Sequence, residues 1–235
     1  MGRLAALTLA LLTAVAHAQE GTEVGVRLDT LSGRLKEAKA VKVVFAATLK
    51  ADDKQVGSAE GEVMVAKGNK ARVQMKTVID GKSEQLLLIA DGKDKQLIVD
   101  GRAQNELLEP NLTANLHAVF RKSGLMHAIL LPLDDKAPPD LDKILKISKD
   151  KFIGITKEEK RSVYKCEYVL GALDKEFNVE LWLDNRTQLP LKRVLRSMDG
   201  GKSVVIEETT RFEIDPPLAK DIFELKKDKC ASGAP

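Results

Sequence analysis

The sequence predicts a mainly β protein with a few helices: a single large antiparallel sheet of about eleven strands, curled into a half-barrel beneath a helical lid. Three observations predict it. Two long regions alternate apolar and polar residues with a period of two. Dipeptides of Gly, Asn and Asp punctuate the first of them at short intervals. Segments with helical spacing stand before the first region and between the two.

In chain order, "MGRLAALTLALLTAVAHA" has one early cation, Arg3, an apolar run from Leu4 to Ala16, and small residues at Ala16 and Ala18. This is the pattern of a signal peptide, with cleavage predicted after Ala18, and the run is short for a membrane span. No Cys stands near the cleavage point, so no lipid-anchored terminus and no transmembrane anchor are expected. Residues 19–235 read as a single domain, soluble in the periplasm or secreted, because no Gly/Ser linker or repeat divides them.

Val24, Leu28, Leu31, Leu35 and Ala38 then fall on one stripe at helical spacing, with charges opposite. From residue 40 the period changes. Val41, Val43, Phe45, Ala47 and Leu49 alternate, as do Ala71, Val73 and Met75. Gly68-Asn69, Asp80-Gly81, Asp91-Gly92 and Asp100-Gly101 supply residues that tolerate positive φ, so residues 40–108 read as a meander of about six strands.

Residues 111–147 break the pattern. Asn111 is placed to cap a helix whose face carries Leu112, Leu116, Val119 and Phe120, and Gly124 is placed to stop it. A further helical turn is expected from Asp140, with Leu141, Ile144 and Leu145 on one face. Alternation returns in "KFIGIT", "RSVYKCEYVLG", "EFNVELWLD", "LPLKRVLRSM" and "KSVVIEETTRFEI", about five more strands.

Short helices pack incompletely over a sheet this wide, so it must curl, and a gap is expected beneath the lid. Val43, Phe45, Val73, Met75, Phe177, Val179, Leu181 and Leu183 should line that gap, and Leu28, Leu31, Leu35, Leu112, Leu116 and Phe120 should cover it. Such a lining suits an alkyl chain, each buried CH₂ being worth about 0.8 kcal/mol.

The remaining composition mostly excludes. Basic and acidic residues number 38 and 35 and are interleaved, and aromatics make up 4%, which argues against nucleic acid as a partner. Cys166 and Cys230 form an even pair in an exported chain, so a disulfide pinning the C-terminal tail to a strand is expected. Beyond the leader, His117 and His127 fit no zinc spacing. "GKSVV" lacks the first Gly of a phosphate loop, and no G-x-S-x-G occurs. No catalytic residue, metal site or cofactor is predicted, and the chain reads as non-enzymatic.

Two segments carry a resemblance. "LWLDNRTQLPLKRVL", Leu181 to Leu195, runs strand, Asp, hairpin turn, Leu-Pro and basic strand. "DPPLAKDIFELKKD", Asp215 to Asp228, closes the chain. Together with the order of elements they resemble the LolA/LolB group of periplasmic lipoprotein carriers, whose fold the N-terminal domain of the stress sensor RseB shares. They are also similar to a related group of exported proteins of unassigned function.

The resemblance implies a carrier or binding protein for a lipid or an acylated protein. The alternative is an envelope module that binds another envelope protein or senses stress. It also implies a short helical turn before a final strand centred on Phe223. Carriers of that group are associated with an Arg on an early strand that helps to hold the lid. Here that strand offers only Lys42, which lacks the guanidinium fork, so no functional residue is carried across. Pro190 should stand at a strand start or on an edge, and Trp182, of opposite parity to Leu181 and Leu183, reads as an anchor packed on the outer face, the alternative being a residue at the cavity mouth.

Overall fold

The computed structural model of the chain describes residues 22–108, 111–112, 114–116, 119, 145–158, 161–172, 175–198 and 203–225. The leader, His117, His127, Phe120 and Cys230 lie outside the described residues.

Helix α1 (Glu23–Glu37) forms where the apolar stripe predicts it. Thr22 caps it, its Oγ1 accepting the Gly25 N–H at 3.0 Å, while Glu23 in the first turn and Arg34 and Lys36 in the last complement the helix dipole.

Eleven strands follow in one antiparallel sheet. The first group is β1 (Ala40–Ala51), β2 (Lys54–Ala66), β3 (Lys70–Ile79), β4 (Lys82–Asp91), β5 (Lys95–Val99) and β6 (Arg102–Ala103). The second is β7 (Leu145–Glu158), β8 (Arg161–Ala172), β9 (Lys175–Asp184), β10 (Pro190–Ser197) and β11 (Ser203–Ile214). Their spatial order is β6-β5-β4-β3-β2-β1-β11-β10-β9-β8-β7. The sheet is thus two meanders joined where β1 pairs with β11, and it is not a closed barrel.

The turn dipeptides do what their chemistry allows. Gly68 and Asn69, Asp80 and Gly81, and Asp100 and Gly101 all take positive φ, between 47° and 81°. The β1–β2 turn uses Asp52 and Asp53, at φ 50° and 62°, the small polar pair best able to stand in for Gly. Pro190 opens β10, where its missing N–H costs no ladder bond.

Phe45, Gly61 and Met75 stand opposite one another across β1, β2 and β3. β1 shifts register between Val44 and Phe45 against β11. A Cβ added to Gly61 would stand 2.5 Å from the Gln74 carbonyl oxygen, so no larger residue fits this close approach without a backbone shift.

Two expectations need correction. Leu145 begins β7 and pairs with Ala172, so it belongs to a strand and not to a helix from Asp140. The even–odd alternation of "LKISKDKFIGI" is broken by register shifts at Ser148/Lys151 and Phe152/Gly154, which hides the strand from a period-two reading. Phe223 lies in a turn closed by Ile222 N–H to Ala219 O and Glu224 N–H to Asp221 O, with no strand through Leu225. Its ring is nonetheless buried, so packing, not pairing, holds it.

Candidate functional site

One face of the sheet is concave and apolar, and the helices lie on it. The predicted lining residues all point there: Val43, Phe45, Val73, Met75, Phe177, Val179, Leu181 and Leu183 are between 0% and 5% exposed. So are Leu28, Leu31, Leu35, Leu112 and Leu116 of the predicted lid. An enclosed void wide enough for a ligand would leave its walls accessible. The described lining is closed down onto its helices.

The packing falls into two separate cores. In the first, Val24, Leu28, Leu31 and Leu35 of α1 cover Val43, Phe177, Val179, Leu181 and Leu183. In the second, Leu112, Leu116 and Val119, all helical, cover Phe45, Val63, Val73, Met75 and Leu88. Val43 and Phe45 are neighbours on one strand face, yet each belongs to a different core. The seam between the two covers runs between them.

Polar contacts hold α1 at several points along its length. At its start, Thr22 Oγ1 donates to Asp150 Oδ2 of β7 at 2.5 Å. In the first turns, Arg27 donates to Asn185 Oδ1 at 3.3 Å and lies 4.0 Å above the Tyr164 ring. Further along, Arg34 donates to the Thr187 carbonyl. At the exit, the Lys39 and Ala40 N–H groups donate to Asp215 Oδ1 at 2.6 and 3.0 Å.

The two segments that carry the family resemblance therefore meet the same element. The β9–β10 hairpin receives Arg27 and Arg34, and Asp215 receives the chain leaving α1. The hairpin is rigid enough for this because Asp184 Oδ1 accepts from the Arg186 and Thr187 N–H groups and from the Thr187 hydroxyl. Those bonds, the Thr187 N–H first, hold the Asp184 carboxyl below its ordinary value.

Beneath α1, Tyr164 and Cys166 are wholly buried. Desolvation pushes the Tyr164 hydroxyl up to about 12, with the Glu23 charge adding to it. Desolvation likewise pushes the Cys166 thiol up to about 12, so as a thiol it carries no nucleophilic character at neutral pH. No group of three or more His, Cys, Asp or Glu side chains that would hold a metal occurs among the described residues.

Sequence reasoning missed Arg193. It is 3% exposed and pairs in register with Leu181, so it lies on the apolar face. Its signal was present in "LPLKRVL", where Arg193 has the parity of Leu195. Lys42, by contrast, faces outward and pairs with Glu62 at 2.5 Å, away from either helix.

The outer face is of another kind. Trp182 lies there under the Lys165 and Lys192 ammonium groups, at 4.6 and 5.7 Å, as its parity predicts. Beside it, burial pushes the Glu180 carboxyl upward, but hydrogen bonds from Lys165 and Arg196 outweigh this and hold it below its ordinary value. A hollow of about 800 Å³ opens on the outer face of the first meander, against Glu60, Glu62, Arg72, Gln74 and Lys76. Val44, Leu87 and Ile98 lie among these polar groups, so its lining is mixed.

No protein-family model matches the chain, and no curated protein matches it in sequence. Among solved structures, the chain is similar to MucB in complex with MucA(peri), with a TM-score of 0.40 and 16% identity over 87% of this chain. It spans 60% of the length of that MucB chain. A LolA superfamily protein from Nitrosomonas europaea follows at TM-score 0.35 and 11% identity, covering 84% of this chain and 97% of the other. A DUF1329 family protein from Desulfovibrio piger stands at 0.34 and 13%, covering 85% and 93%. These likenesses stand at 11–16% identity and TM-scores of 0.34–0.40.

Proposed function

We propose that the chain is an exported, non-enzymatic carrier or binding protein. Its ligand is an acyl chain, free or attached to a protein, taken up on the apolar concave face in place of one of the covering helices. The observation that carries this reading is the division of the cover into two separately packed parts on one continuous apolar face. One part can lift while the other keeps the sheet dry.

The energetics permit the exchange. Burial of a large aliphatic side chain is worth about 1.5–3 kcal/mol, so the stripe from Val24 to Leu35 holds α1 with on the order of 10 kcal/mol. An acyl chain of palmitoyl length, at about 0.8 kcal/mol per CH₂, offers a similar sum. The polar ties along α1 are partly exposed and contribute little each, so they guide reclosure more than they oppose opening.

Native mass spectrometry of the protein purified from its own envelope tests this reading. An adduct with the mass of an acylated molecule is expected, and it should vanish in Val43→Glu, beneath α1. Purification without any such adduct, together with a stable protein partner, would favour the alternative, an envelope interaction module. A disulfide from Cys166 to Cys230, if it forms, ties the tail beneath α1 and contributes about 2–4 kcal/mol.

A further inference from the structure

At one end of the sheet, β7 pairs with β8 alone among the described strands. It is 14 residues long, whereas β6 at the other end has 2. A long open edge offers a row of unpaired backbone groups to any extended chain. On β7 that row is accompanied by large apolar side chains: Phe152 and Ile153 are each 40% exposed and Ile155 is 54% exposed.

These side chains are not loose. Phe152 stacks on Tyr164 with centroids 4.8 Å apart and planes 24° apart, and Arg27 clamps the same Tyr164 ring at 4.0 Å. Ile155 stands opposite Tyr164 in the β7–β8 register. The concave apolar face thus runs out past α1 and ends, rigidly held, on the exposed edge.

The charge on the strand selects what can add to it. Lys149, Lys151 and Lys157 are exposed, against one exposed carboxylate, Glu158 at the strand's end, while Asp150 is engaged by Thr22. A second copy pairing antiparallel about Ile153 would set Lys149 against Lys157. Like charges directly opposite destabilise a strand pair. A strand with acidic residues at those positions meets no such penalty.

We infer that β7 is a docking edge for an extended, acidic segment of a partner protein, alternating apolar and acidic residues, which adds to the sheet beside Phe152 and Ile155. Backbone bonds supply affinity, and the lysines and the two apolar side chains supply choice. This surface is the edge of the sheet and does not depend on a ligand under the helices.

The test uses the full mature chain and two fluorescein-labelled peptides, one alternating Val and Glu, the other Val and Lys. Anisotropy reads binding, and hydrogen exchange locates it. The Val/Glu peptide should bind saturably, more weakly as salt rises, and slow amide exchange within 149–158. The Lys149→Glu/Lys157→Glu variant should bind it at least tenfold more weakly and should now accept the Val/Lys peptide. Fatty-acid uptake, measured on the same samples, should be unchanged by either peptide. Equal binding of the two peptides by the wild-type chain, no saturable binding, or protection only outside 149–158 would overturn the inference. So would protection of 149–158 that rises with protein concentration in the absence of peptide, which would assign the edge to a second copy.

Discussion

Asp184 shows how a single side chain sets the local geometry. It accepts three hydrogen bonds within its own hairpin, and these depress its carboxyl below its ordinary value. The ionised form is therefore stabilised by folding. Its contribution is complete above about pH 4 and is lost as pH falls through the depressed value. Asp91 behaves alike, held down by the Asp94 and Lys93 N–H groups. Asp184→Asn should lower stability by about 1 kcal/mol at pH 7, and the gap to wild type should narrow as pH falls below 4. Urea midpoints across that range check this, and a gap independent of pH would contradict it.

The same scale holds the thiol. Non-reducing peptide mapping should link the "YKCEY" peptide to the C-terminal "KCASGAP" peptide. Recovery of Cys166 as an alkylatable thiol after unfolding without reductant would refute the bond. Arg193 is where residue-level reading fell short. In a strand flanked by Lys192 and Arg196 a cation reads as solvated, although parity placed it on the buried face.

At the scale of elements, α1 and the turns were legible because a local rule dictates each. A stripe of Leu at helical spacing has only one economical use, and Asn-Gly-type pairs have few others. β7 was legible only in part, since its register shifts change which parity faces inward. The tight packing of the lid could not be read at all, because a sequence pattern gives the faces that meet and not how closely they meet.

Two substitutions test the element-level account. Leu31→Ala removes a wholly buried side chain from the α1 core and should cost about 2–5 kcal/mol. Gly61→Ala places a methyl group against the Gln74 carbonyl of β3 and should cost about 1–3 kcal/mol. Both are read from denaturation midpoints. A neutral Gly61→Ala would mean that β2 and β3 yield at this approach more readily than their contacts imply.

At the scale of the molecule, two antiparallel meanders share one apolar face, and each keeps its own cover. That architecture gives the proposed carrier a way to open without unfolding. The opening should appear as faster hydrogen exchange in α1 than in β1 or β2, which are paired on both sides. The most direct measurement is titration of the delipidated protein with a fluorescent fatty acid. The account predicts saturable uptake that Val43→Glu abolishes and that a non-fluorescent fatty acid competes away. Absence of saturable uptake by the folded wild-type protein would contradict it.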